Sequence, residues 1–109
     1  MAIKGDVAVK DLLPLGSVVK IVGLDRKFMI VRYFYKVSKE ITLFNGNKAE
    51  PGEVFDYVCV LWPDGDVNPD KKILFNHETI DYVQFYGYVN DESIEFLDDL
   101  DKEVNGNGD

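Results

Sequence analysis

Asp64, Asp66, Asn68 and Asp70 set oxygen-bearing side chains at alternate positions of one short loop, as calcium-binding loops do. An EF-hand needs glycine where Pro69 stands and a bidentate glutamate where Phe75 stands. Both are missing, so the segment reads as a polar turn between strands. His77 beside Glu78 is a pair able to transfer protons near neutral pH. No G-x-S-x-G or H-E-x-x-H frame surrounds it and the chain has no second histidine, so it reads as a surface residue of a helical turn. Cys59 sits among Val58, Val60 and Leu61, the opposite of the electropositive, open setting that activates a thiol. It reads as core packing, and an unpartnered thiol suits a reducing cytosol. One Cys and one His also exclude a disulfide framework and a conventional zinc site within one chain. No catalytic, cofactor-binding or metal-ligating residue is assigned, and no cofactor is expected.

The elements that would carry any other site belong to one domain of 109 residues. The chain is 46% hydrophobic and 29% charged, as a globular protein is. Seven Phe, six Tyr and one Trp can fill a core, but so short a chain has no room for an enclosed substrate cavity as well. No run reaches the ~20 apolar residues of a membrane span. Residues 1–16 lack a signal-peptide core, being interrupted by Lys4, Asp6, Lys10 and Asp11, so a cytoplasmic protein without membrane insertion is expected. The net charge of −8 is uneven: residues 90–109 carry eight acidic side chains against Lys102 alone. The rest of the chain is nearly neutral. Its basic pairs, Arg26-Lys27 and Lys71-Lys72, each adjoin an aspartate, which disfavours nucleic acid and anionic membranes as partners.

Residues 1–10 give weak signals and read as loosely held. Residues 17–23 alternate as a strand with Val19 and Ile21 inward. Residues 27–37 form a long strand whose even positions mix Phe28, Ile30 and Phe34 with Arg32 and Lys36, a partly wet face. Residues 38–53, with Asn45-Gly46 and Pro51-Gly52, read as an excursion carrying its own hairpin. Residues 54–62 are apolar on both faces except at Asp56, as an interior strand is. A short strand at 72–75, a helical turn capped by Asn76 and a strand at 83–89 follow. Asn90-Asp91-Glu92 then caps a helix to Val104, with Ile94, Leu97 and Leu100 packed inward and carboxylates outward. The last five residues are a Gly/Asn tail. The expected fold is α+β: a small, strongly twisted antiparallel sheet or SH3-like β-barrel spanning 1–104, with an amphipathic acidic C-terminal helix.

Most of the aromatic side chains are needed for the core. Those exposed together would form a protein-binding patch, and the candidates are Tyr86, Tyr88, Glu92, Glu95, Phe96 and Asp99. Two blocks of the chain resemble a known family. Leu13-Pro14-Leu15-Gly16-Ser17-Val18-Val19 leads to Phe28-Met29-Ile30-Val31. Then come Phe55-Asp56-Tyr57-Val58, Pro63-Asp64-Gly65, Phe75-Asn76-His77-Glu78-Thr79-Ile80 and Phe85-Tyr86-Gly87-Tyr88. Their order and spacing resemble the small bacterial family catalogued as domain of unknown function 4176, over residues 12–97. The resemblance implies a setting: Gram-positive bacteria, type VII secretion genes, and Leu-X-Gly toxins with small helical partners. It implies a non-enzymatic cytosolic accessory or chaperone-like factor whose partner is a secreted toxin or secretion component. It transfers no catalytic residue. The alternatives are a small-barrel nucleic-acid binder and an immunity-type protein bound to a toxin domain.

Overall fold

The computed structural model describes residues 8–67 and 73–104. Lys4 and Asp6, the Asn68-Pro69-Asp70 half of the acidic loop, Lys71-Lys72 and the Gly/Asn tail lie outside the described residues. Two β-branched and aromatic runs, β1 (Val18–Ile21) and β2 (Lys27–Lys36), pair as an antiparallel hairpin. The long apolar strand β5 (Val54–Trp62) pairs along β2 and also with β6 (Ile73–Phe75). The remaining main strand, β7 (Ile80–Phe85), pairs with β1. The order is β6-β5-β2-β1-β7, antiparallel throughout. Only residues 76–79 separate β6 from β7, although these are the two edges of the sheet. So short a link forces the sheet to coil until its edges approach. No ladder joins β6 to β7, so the sheet stays open and a closed barrel is not reached.

Inside the coil lie Val19, Ile21, Phe28, Ile30, Tyr57, Cys59 and Phe75, all buried. Each such apolar side chain contributes about 1.5–3 kcal/mol when removed from water. The 3₁₀ turn Val9–Asp11 and the residues after it close one end, with Val9, Leu12 and Leu13 buried in the same cluster. The first turn of chain thus enters the core, although the sequence there carries no pattern.

One residue decides which face of β2 is buried. The register pairs Ile30 with Cys59 but Arg32 with Val58, which leaves Val31 as an extra residue on β2. This β-bulge shifts the alternation by one. Before it Phe28 and Ile30 point inward; after it Tyr33, Phe34 and Tyr35 are half-buried and Val37 is buried. The even positions thus hold Phe28 and Ile30 fully buried and Arg32 and Lys36 exposed, a partly wet face as expected, while Val31 is exposed. Phe34, three residues on, has φ +54°, a strained value for a residue with a side chain.

The excursion does carry a hairpin, β3 (Ile41–Thr42) with β4 (Lys48–Ala49). Gly46 takes φ +93° at its turn, and the Asn45 side chain accepts the Asn47 N–H. Ala49 joins Val37, Phe55 and Leu74 in a second buried cluster, and Phe44 sets its ring edge-on to Phe28 at 5.3 Å.

Helix α1 (Asp91–Val104) follows the acidic sequence predicted for it. Asn90 Oδ1 accepts the Ser93 N–H and Ser93 Oγ accepts the Asn90 N–H, a reciprocal cap. Leu97, Leu100 and Val104 rest against the core, whereas Ile94 faces solvent rather than the sheet. No residue of α1 is fully buried.

Burial pushes the Cys59 thiol up to about 12. An unfolded chain ionises this thiol from about pH 9, so folding stability is complete below that value and falls as pH rises toward 12. Iodoacetamide is expected to label Cys59 only in denaturant, and the thermal midpoint is expected to fall above pH 9. Rapid labelling of native protein would contradict the buried thiol.

Candidate functional site

The chain just before β1 is fixed by two tyrosine hydroxyls. Tyr57 on β5 accepts the Leu13 N–H at 3.0 Å, and Tyr33 on β2 donates to the Leu13 carbonyl at 2.6 Å. Tyr57 Oη also lies 2.7 Å from His77 Nδ1. The two groups are hydrogen-bonded, with the proton placed by the tautomer of the His77 ring. Burial raises the Tyr57 phenol well above its ordinary value and raises Tyr33 in the same direction, so both stay protonated. The His77 N–H in turn donates to Asp56 Oδ2 at 2.8 Å, and the Asp56 N–H donates to Asn76 Oδ1 at 3.1 Å.

This network revises two readings of the sequence. His77 is half-buried and bonded to Tyr57, not a surface residue of its turn. Asn76 occupies the cap position of the 3₁₀ turn His77–Thr79, yet its side chain binds Asp56 instead of capping. The first free N–H of the turn goes to the Asp56 carboxylate. An interior strand takes over the local capping role, which holds β6 and the turn against β5.

A second constraint sets residues 86–90. The strand expected over 83–89 ends at Phe85. Beyond it Gly87 donates its N–H to the buried Ser17 Oγ at 2.9 Å. A Cβ on Gly87 would lie 2.2 Å from the Leu15 carbonyl oxygen, so only glycine allows this crossing. The backbone leaves the ladder here because it must cross residues 15–17 at close range. Tyr86 and Tyr88, expected on one face of a strand, flank this crossing in irregular backbone and are 60% and 79% exposed.

The two constraints place residues 11–15, residues 86–90 and the start of α1 around a groove of about 610 Å³. Tyr33, Tyr86, Tyr88 and Phe96 supply its rings; Leu12, Pro14, Leu15, Val89, Ile94 and Leu97 supply aliphatic surface. Phe96 stacks on Tyr33 with centroids 6.3 Å apart and planes 23° apart. Asp11 and Glu92 add carboxylates. Of the six sequence candidates, Tyr86, Tyr88, Glu92 and Phe96 line the groove; Glu95 and Asp99 are exposed on α1 outside it. Sequence reasoning missed the opposite wall, because Asp11-Leu12-Leu13-Pro14-Leu15-Gly16, with its Pro and Gly, has the pattern of a turn feeding a strand and Tyr33 that of the strand at 27–37. The signal available was Gly87, whose partner could only be another backbone. Among the described residues no group of three or more His, Cys, Asp and Glu stands ready to hold a metal, and no helix is long and apolar enough to cross a membrane.

The family described as domain of unknown function (DUF4176) matches residues 12–96, well over half of the chain, and the chain belongs to it. No curated protein and no solved structure matches the chain. The segments that carry the family resemblance are those the hydrogen bonds join: Leu13 to Tyr57, Tyr57 to His77, Asp56 to Asn76 and Gly87 to Ser17.

Tyr57→Phe removes the acceptor of Leu13 and the hydrogen-bond partner of His77, and is expected to destabilise the protein by about 1–3 kcal/mol in urea unfolding. Gly87→Ala is expected to lower stability by about 2 kcal/mol or more, since backbone rather than a side-chain tip must move. A wild-type midpoint for either variant would contradict these roles.

Proposed function

We propose that this DUF4176 protein is a non-enzymatic accessory factor that works by protein–protein contact. It holds an amphipathic, basic segment of a secreted toxin or secretion component in the groove beside α1. The observation that carries this reading is the groove itself: four aromatic rings and six aliphatic side chains, open to solvent, beside a helix of carboxylates. Apolar anchors of a partner enter the groove, where burial of aromatic surface supplies most of the affinity. Basic side chains on the same segment meet Asp11 and Glu92 at the groove and Glu95 and Asp99 along the helix. These charges speed encounter and select against acidic segments more than they add affinity. The family resemblance supports the setting, a cytoplasmic factor of type VII secretion that escorts a Leu-X-Gly toxin. Polar side chains such as His77 and Asp56 are engaged in holding the frame, which accords with a role in binding rather than turnover.

The test is co-purification with the product of the neighbouring toxin gene at low and high salt. A complex is expected at both, with Tyr88→Ser weakening it by about tenfold or more while leaving the unfolding midpoint unchanged. Tyr88 is the suitable probe because it is the most exposed ring of the groove. A complex indifferent to Tyr88→Ser, or no complex at either salt, would overturn the assignment.

A further inference from the structure

A second surface lies on the sheet face turned away from the core, and the strand register defines it. Lys20 stands between Val19 and Ile21, both directed inward, so its side chain leaves by the other face. There it pairs with Tyr82 on β7 and with Lys27 on β2, and Lys27 pairs with Trp62 on β5. The result is one row across four strands: Tyr82, Lys20, Lys27, Trp62. The next row on the same face is Phe85, Val18, Met29 and Val60. A hollow of about 440 Å³ lies over it, lined by Gly16, Val18, Met29, Trp62, Gln84 and Phe85.

Two features of this face are unfavourable in the isolated chain. Like charges directly opposed on paired strands repel, and Lys20 and Lys27 are so placed. Both are half-buried, and among the described residues neither has a carboxylate within ion-pair distance; the ion pairs are Arg26 with Asp64 and Lys48 with Glu40. Beside them Trp62 and Phe85 are 45% and 61% exposed. An anion between the lysines together with an apolar group over the hollow would relieve both.

We propose that this face binds an extended acidic segment of a partner protein, with carboxylates and aromatic side chains at alternate outward positions. On β1, β2 and β5 the two rows are two residues apart, about 6.6 Å, and on β7 a bulge places Phe85 three residues from Tyr82. Successive side chains on one face of an extended peptide have that same spacing, so one carboxylate reaches the lysine row as the next side chain reaches the hollow. A nucleic acid fits less well. Two free lysines can neutralise about two phosphates, a small counterion term, and Arg26 is already held by Asp64. The surface is distinct from the groove beside α1 and of opposite charge preference, so the inference stands independently of the proposed function.

The probe is a fluorescein-labelled synthetic peptide of repeating Glu-Ser-Phe-Ser, titrated against the full chain by fluorescence anisotropy. Its affinity is expected to fall about tenfold or more in Lys20→Gln/Lys27→Gln, and to fall with added salt. Tyr88→Ser is expected to leave it unchanged. The double variant is expected to unfold no earlier than wild type, because a repulsive pair has been removed. Absence of binding, equal binding by the double variant, equal binding of the Lys-for-Glu peptide, or displacement by oligo-uridine would each overturn the proposal.

Discussion

The Tyr57 hydroxyl is the point on which the molecule depends. A residue on an interior strand accepts from the Leu13 backbone and shares a hydrogen bond with His77, and so ties the segment before β1 and the link between the sheet's edges to one atom. Each group it serves is at least partly sheltered from water, where a missing partner costs far more than a made bond gains. Asp56, next along the same strand, secures the other side of the link through the His77 N–H and Asn76. Two adjacent residues of β5, facing opposite ways, therefore fix the course of the chain before β1 and after β6. The groove beside α1 inherits its shape from that arrangement, since Leu12, Pro14 and Leu15 are one of its walls.

Much of this was legible in the sequence because period and turn chemistry act locally. The bounds of β5 and α1, the hairpin in the excursion and the cap at Asn90 follow from a strand-length apolar run, a helical stripe, Asn-Gly and Asn90-Asp91-Glu92. The misreadings have a common cause. Val31 as a bulge, Asn76 turned from cap to strand partner, His77 drawn inward, and β7 ending at Phe85 are all decided by what lies across from the residue, not beside it. Half of the candidate site was visible as exposed tyrosines running into an acidic helix. Its facing wall was not, because residues 12–15 take their position from contacts with residues far along the chain.

The charge of the molecule is segregated in space as well as in sequence. Carboxylates line the outer side of α1, next to the aromatic groove, while the uncovered sheet face presents its opposed lysines between a tyrosine and a tryptophan. A chain with a large net charge still offers two chemically opposite surfaces, because the sheet separates them.

Helix α1 joins the sheet through five irregular residues and rests on the core by Leu97, Leu100 and Val104, none of them fully buried. Its detachment exposes little apolar area compared with unfolding of the sheet, so it belongs to the low end of the local stability scale. One wall of the groove is strand and backbone strapped by the Gly87 crossing; the other is this lightly seated helix.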